Sequence, residues 1–432
     1  MCNKPAIIQF LTIFAAFILT FAGGACSSGK TEPGRVEAAS NPAAEIRDAE
    51  IGEALQLIEK APGSPTGYVQ LAAVYIKRAR ANGDFSLNSK AETAVDKALQ
   101  FAPSDVPARK LKASLHLTFH RFPEALEAGR KLQAEYPSDA FVYGVLTDAN
   151  VELGNYKQAV EAAQKMVDLK PNSNSYARVA HLRSLYGDHA GAVEMFKTAA
   201  RTADPSDREA QSWCLAQLGD ELWKNGKYRE AEKVYDEALR NFPDFHLALA
   251  GKARARAAQG DFEAATKFLT DAVNRVPTVE TAILLGDIYT RQGNGEKARQ
   301  QYDLVEVIEG ENGVNNDRKR LAVLWADHDR KLDEALAIAR SEYAQRRDIY
   351  TADALAWTLY KKGHLTDAKA AIAAALVPKA NDARILYHAG MIEKDLGNLS
   401  EARRLLETAL KTNPMFDLLQ AETARRTLSE LK

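Results

Sequence analysis

Between Leu222 and Pro243 the chain reads LWKNGKYREAEKVYDEALRNFP, and from Arg256 to Pro277, 34 residues on, RAAQGDFEAATKFLTDAVNRVP repeats the pattern. In both, Gly is followed two places later by an aromatic residue. Ala, a bulky residue and a second Ala then come at three- and four-residue spacing, and Pro closes the phrase. Most positions between them are charged or polar. That spacing predicts an amphipathic helix, with Gly before it and Pro after it as its boundaries.

The phrase recurs along most of the chain. Its first Ala returns at Ala125, Ala159, Ala192, Ala231, Ala265, Ala298, Ala335, Ala368 and Ala402, in steps of 33 to 39 residues. Pro103, Pro137, Pro171 and Pro205 are spaced by 34, and Pro243 and Pro277 continue the series. A glycine stands five places before the Ala at Gly154, Gly187, Gly226, Gly260, Gly293, Gly363 and Gly397. This period predicts a stack of helix pairs, because one pair cannot bury its own apolar face. The stack needs closed ends. EIRDAEIGEALQLIEKA, Glu45 to Ala61, reads as a lone helix over the front; Ala421, Ala424, Leu428 and Leu431 form the apolar stripe of a capping helix at the back.

The units are uneven. Seven or so extra residues near NGDFSLN predict a longer inter-helix loop in the first unit, Tyr68 to Pro103. The unit around Ala125 is degenerate, with Lys112 where Leu is wanted. The spacing slips between Thr202 and Ser212, and again across Glu306 to Arg320, a Gly- and Asn-rich stretch without the Pro. The second slip is the expected hinge between an N-terminal block, 45–310, and a C-terminal block, 311–432.

These residues resemble the tetratricopeptide repeat (TPR) family. Leu215, Leu218-Gly219 and Leu222 stand where that family has Trp, Leu-Gly and Tyr; Ala231, Tyr235, Ala238 and Pro243 fill the remaining places. A second unit offers Leu285-Gly286, Tyr289, Ala298 and Tyr302, with Gly310 in place of Pro. The resemblance covers residues 65 to 415 and implies an all-α, right-handed superhelical solenoid of about nine or ten antiparallel pairs. It implies that Gly219 and Ala231 lie where two helix backbones approach, and that Gly226 ends the first helix in a left-handed conformation.

In this family the first helix of each unit lines the concave surface. Carried over by offset from the small residue, the expected partner-facing positions are Phe141, Asp148, Trp213, Asp220, Trp223, Arg254 and Asp287, then Tyr350, Trp357, Tyr360, Arg384 and Tyr387. Tyr and Trp suit an interface. Packing against the next unit is the competing reading for each aromatic. Trp213, Asp220, Arg254 and Asp287 do not match the Lys/Asn clamp with which some members grip a C-terminal carboxylate.

Composition narrows the function. Fifty-seven Lys and Arg balance 58 Asp and Glu, so no basic field recruits nucleic acid. The sequence holds no P-loop, G-x-G-x-x-G, G-x-S-x-G or H-E-x-x-H. His116 and His120 share a helix face but have no third ligand at a supporting spacing, so no metal and no cofactor are expected. Cys214, beside Trp213, reads as a buried structural thiol.

The N-terminus reads as an address. Pro5 to Ala25, PAIIQFLTIFAAFILTFAGGA, is almost wholly apolar and is followed by CSSGKTEPG. Residues 1–25 resemble a bacterial signal peptide, and Gly24-Ala25-Cys26 a lipobox, with Gly23 in place of the usual Leu. Lipidation at Cys26 is the expectation, with Ser27 resembling the signal for an outer membrane. An uncleaved anchor and ordinary cleavage stand beside it. Residues 26–44 read as a tether. The expected protein is a non-catalytic scaffold on the extracytoplasmic side of the cell envelope. It would bind protein or peptide partners in an outer-membrane, pilus or polysaccharide-export assembly. An enzyme subunit and a self-associating structural solenoid are the alternatives.

Overall fold

The computed structural model describes residues 42–311 and 318–431. Among them are 22 α-helices and no strand. After α1 (Pro42–Lys60) come α2 (Pro65–Asn82) with α3 (Ser86–Phe101), α4 (Val106–Thr118) with α5 (Phe122–Glu135), and α6 (Ala140–Glu152) with α7 (Tyr156–Leu169). Next are α8 (Ser173–Leu185) with α9 (His189–Thr202), α10 (Arg208–Lys224) with α11 (Tyr228–Asn241), and α12 (His246–Ala258) with α13 (Phe262–Arg275). The array ends with α14 (Val279–Arg291) and α15 (Gly295–Glu311), α16 (Lys319–Asp327) and α17 (Leu332–Gln345), α18 (Ile349–Lys361) and α19 (Leu365–Ala375), and α20 (Ala383–Asp395) and α21 (Leu399–Thr412). The last helix, α22 (Gln420–Glu430), caps the stack: Ala421 and Ala424 are buried in the main cluster and Leu428 packs beside them.

Local sequence explains each pair. The second helix is amphipathic: α11 buries Ala231, Tyr235 and Ala238 on one stripe, and its remaining face is charged. The first helix is covered on more sides; α18 buries every residue from Ile349 to Leu359 except Tyr350. Entry into the first helix is fixed by a repeated Pro-Ser-Asp. Asp105, Asp139 and Asp207 each accept a hydrogen bond from a first-turn backbone N–H, a cap worth about 1 kcal/mol.

The small residues work differently from the expected backbone approach. A methyl on Gly219 would meet the Tyr235 ring at 2.4 Å, and one on Gly251 would meet the same ring at 2.3 Å. The ring is thus clasped between two first helices, and Gly286 makes the same room for Tyr302, whose ring lies 2.3 Å from an added methyl. In α20, Gly390 faces Leu406, with the Ala402 carbonyl at 3.4 Å.

The irregular units are absorbed in distinct ways. The first unit has no longer loop: α2 runs for 18 residues and α3 for 16, against 13 and 14 in α6 and α7, so the helices take the extra length. Lys112 in the degenerate unit reaches back to Glu92 at 2.9 Å and Asp96 at 2.8 Å, so an ion pair stands where Leu was wanted. In the same unit His120 takes the glycine's place with φ 55.

Residues 46–432 form one compact unit. The expected hinge centres on residues 312–317, outside the described residues. One hydrophobic cluster joins Tyr302 and Val305 before it to Leu321 and Trp325 after it. The array also coils far enough to touch itself. The loop between α6 and α7 meets the α17–α18 connection: the Arg347 N–H donates to the Glu152 carbonyl at 2.9 Å, and the Ile349 N–H donates to the Tyr156 hydroxyl at 2.9 Å. The next unit repeats the contact, with His189 Nε2 3.3 Å from the Asn381 carbonyl. The one after does so again, through Tyr228, Asn413 and the Trp223 carbonyl. Each inner loop therefore meets the connection five to six units further on, and successive turns of the superhelix close on one another.

Candidate functional site

Because the turns touch, the concave surface is a lumen rather than an open groove. Its cavity of ≈ 640 Å³ is lined by the first helices of seven successive units, from α8 to α20, and by the approach to α22. That volume lies within the range of small-molecule sites. Six of the positions expected from sequence line it: Asp220, Trp223, Arg254, Asp287, Tyr350 and Arg384.

Most of these are held by partners. Arg254 is paired with Asp220, which also accepts from the Tyr235 hydroxyl at 2.6 Å, and its guanidinium lies 4.4 Å from the Trp223 ring centre. Arg384 pairs with Asp417 at 2.7 Å. Asp287 accepts from the Tyr302 hydroxyl at 2.8 Å. Asp327 accepts from the Trp357 indole at 2.8 Å and from Gln420 at 3.3 Å.

Two further sets of groups face the lumen. On α10, the Lys224 ammonium lies 3.5 Å from the Tyr350 hydroxyl across the lumen, within the field of the Glu221, Asp382 and Asp220 carboxylates. His181 on α8 lines the same cavity. It presents surface to the lumen yet is enclosed by protein; burial first, and then the Lys224 charge, lower its pKa to about 4, so it is a neutral imidazole. On α14 and α16, Asp287 and Asp327 face both members of the Arg384–Asp417 pair across a confined space. Burial and then the Asp417 charge push Asp327 up to about 6 and raise Asp287 well above the usual carboxylate range.

The other expected positions fall elsewhere. Trp357 and Tyr387 are 2% and 1% exposed, so they are packing residues and offer no partner surface. Trp357 stacks on His388 at 4.1 Å and on Tyr360 at 4.9 Å, and its N–H is spent on Asp327. The half-buried Tyr360 donates to Asp395 at 2.8 Å, and Tyr387 donates to Gln420 at 2.7 Å. Asp148 is forked onto Arg178 at 2.9 and 2.6 Å. Phe141, under Lys110 at 5.1 Å, and Trp213 are exposed and do not line the cavity.

Sequence reasoning missed Lys224, His181, Asp327 and Asp417. His181 had a signal: it follows Ala180 as Asp220 follows Gly219 and Asp287 follows Gly286. Asp327 is the last residue of α16 and lies outside the offset rule. Among the described residues no cluster of three or more His, Cys, Asp or Glu is placed to hold a metal. The Cys214 thiol is buried, and that burial raises its pKa to about 12. No helix of the described residues is long and apolar enough to cross a membrane, and Cys26, the signal-like segment and most of the tether lie outside them.

A ring of stacked helix pairs around a lumen defines an α-solenoid. The tetratricopeptide repeat family matches residues 217–280, 253–312 and 354–414, and the chain carries tetratricopeptide repeats over those segments. No curated protein matches the sequence. Among solved structures, it is similar to a tetratricopeptide repeat protein from Parabacteroides merdae, with 20% identity, a TM-score of 0.36, and coverage of 60% of this chain and 98% of that one. It is also similar to the human IFIT1 dimer solved with PPP-AAAA, with 15% identity, TM-score 0.47, and 85% and 94% coverage. A third likeness is to PilW, a widely conserved type IV pilus biogenesis factor, with 16% identity, TM-score 0.40, and 46% and 91% coverage.

Proposed function

We propose that the protein is a non-catalytic scaffold of the bacterial cell envelope, held at a membrane by acylated Cys26 and recruiting protein or peptide partners to an assembly there. The kinds of assembly that fit are outer-membrane insertion, pilus assembly and polysaccharide export. The observation that carries the binding part is the ring of first-helix side chains around the ≈ 640 Å³ lumen. A folded domain does not fit that volume, so a partner enters it as an extended segment or a chain end. Exposed Phe141 and Trp213 offer aromatic contacts outside the lumen. The address is carried by the apolar run Pro5–Ala25 and the small residues before Cys26. Anchoring confines the scaffold to a surface and raises its effective concentration near other envelope proteins.

The test has two arms. Palmitate labelling and membrane fractionation compare the native chain with Cys26→Ser; label and membrane association are expected only in the native chain. Photo-crosslinkers at positions 213, 223 and 407 are then activated in native membranes, position 407 being on the exposed face of α21. Adducts with the same envelope protein are expected from 213 and 223 and not from 407. An unlabelled soluble protein defeats the address, and equal adducts from all three positions defeat the binding surface.

A further inference from the structure

In three successive units the residue two places after the left-handed glycine joins one turn to the next. These residues are Tyr156, His189 and Tyr228, following Gly154, Gly187 and Gly226. Tyr156 accepts from the Ile349 N–H at 2.9 Å. Tyr228 donates to Asn413 Oδ1 and accepts from the Met415 N–H at 3.0 Å. Burial raises both phenols, Tyr228 to about 12, so both keep their protons wherever histidine titrates. A hydroxyl both gives and takes hydrogen bonds, so these two contacts are indifferent to pH across that range. The middle contact is built differently.

Both ring nitrogens of His189 face acceptors. Nδ1 lies 2.7 Å from Glu221 Oε1 on α10, and Nε2 lies 3.3 Å from the Asn381 carbonyl on the next turn. Burial raises Glu221, but the bonds from His189 and Ser184 and the charge of Lys224 outweigh it and hold the carboxyl below its usual range, so it is ionised. Neither acceptor has a proton to give. A neutral imidazole carries one N–H and fills one of the two sites; the imidazolium fills both. The second proton therefore decides whether the inter-turn contact is a hydrogen bond or two opposed lone pairs. The other titratable and charged groups around the ring are Asp188 on its own loop, bonded to Arg183 of α8, neutral His181 of α8, Lys224 of α10, and Lys379 and Asp382, which flank Asn381.

We propose that His189 makes closure of the superhelix pH-dependent: its imidazolium locks the turns together at Asn381 in acid, and its neutral form releases them. On deprotonation the remaining N–H stays with the Glu221 carboxylate, because the charge-assisted bond is the stronger one. Nε2 then turns a lone pair on the Asn381 carbonyl. The locked seam binds a proton that the released seam gives up, so falling pH favours the lock. Histidine is the side chain suited to such a switch near neutral pH. His189 and Asn381 both line the lumen, so the seam they form is part of its wall. The switch concerns access to the lumen and holds whatever partner enters it, so the crosslinking result above is independent of it.

The experiment is hydrogen–deuterium exchange on the full-length protein in detergent at about pH 5.5 and about pH 8, near the two ends of the ordinary histidine range. Each peptide's rate is divided by its intrinsic rate at the same pH. Protection over residues 379–385 is expected to fall at the higher pH by about fivefold relative to residues 347–351, the ratio that one ordinary hydrogen bond gives. The second segment carries the Tyr156 contact and is the internal standard. His189→Tyr, which places the neighbouring units' residue there, is expected to abolish the difference, with far-ultraviolet circular dichroism showing that it is folded. In nitrogen NMR of the imidazoles, the signal missing from His189→Tyr is expected to have both nitrogens protonated at the lower pH and Nε2 bare at the higher. Equal pH dependence of the two segments in the native protein overturns the proposal, whether or not the variant folds. So does a folded His189→Tyr protein that keeps the difference, or an imidazole that keeps both protons at the higher pH.

Discussion

Gly154 and Gly363 each follow a first helix in the left-handed region, with φ +74 and +79. Their surroundings differ. A methyl on Gly363 meets nothing within 4 Å, whereas one on Gly154 meets the Arg347 carbonyl oxygen at 2.7 Å, on the neighbouring turn of the superhelix. Alanine at either site carries the left-handed penalty, about 1–2 kcal/mol, offset by about 0.5–1 kcal/mol from a stiffer unfolded chain. Gly363→Ala therefore costs about 0–1.5 kcal/mol. Gly154→Ala adds an overpacking cost of about 1–3 kcal/mol, because the obstacle is backbone and cannot swing aside. If the turns part to make room, the two backbone donations at Arg347 and Ile349 weaken as well, at about 1 kcal/mol each. The difference between the variants is then about 1–4 kcal/mol, all of it due to turn closure. Urea unfolding followed by far-ultraviolet circular dichroism reads it, as a midpoint shift at unchanged slope. If the two variants lose the same stability within about 0.5 kcal/mol, the turns do not touch in solution and the lumen is an open groove.

Three further outcomes follow from burial and charge. Trp357→Ala, at a side chain 2% exposed, is expected to cost about 3–5 kcal/mol, while Trp213→Ala, at 37%, stays within about 0.5 kcal/mol; urea midpoints separate them, and equal effects contradict the placement of Trp357. Asp327 holds its proton in the folded lumen up to about pH 6, while the unfolded chain releases it near pH 4. Its contribution is therefore complete below about pH 4 and is lost as the pH rises through 6. Asp327→Asn should gain on the native chain between those values, and a constant difference in midpoint from pH 4 to 7 refutes this. Cys214, 3% exposed with its thiol raised to about 12, should resist iodoacetamide at pH 8 until urea unfolds the chain, as mass mapping of its peptide will show.

The register of the helix pairs was legible because small residues are needed where Tyr235 and Tyr302 are clasped, and Gly or Ala recurs at that place in most units. The boundaries were legible because Pro-Ser-Asp and the left-handed Gly are local devices. Turn closure was not. Gly154 and Gly363 are the same residue in the same conformation, and what lies against them depends on small rotations summed over five to six units. The lumen was half legible for the same reason. The offset rule found Asp220, Arg254 and Asp287, which point inward on their own helices. It also pointed to Trp357, which sits one place after Ala356, as Asp220 does after Gly219. There a large ring gains more from His388 and Tyr360 than from the lumen, and only its N–H reaches the Asp327 carboxylate. The first unit's extra residues misled because added length was read as loop, when residues with helical propensity simply extended α2 and α3.

Closure gives the inter-turn contacts a functional weight that their sequence does not advertise. Glu152, Tyr156, His189 and Tyr228 sit at loops that any solenoid must have, and in a flatter superhelix they would face solvent. Here they join one turn to the next through one or two polar contacts each, a hydrogen bond being worth about 1 kcal/mol net. An entering chain end touches several first helices at once, so it favours whichever arrangement of the turns fits it, by its differential affinity for the two. A seam of contacts that are individually weak and repeated unit by unit is therefore the part of the fold most easily shifted by what the lumen holds. The buried rings clasped within their units, Tyr235 and Tyr302, set the limit to how far that shift can go.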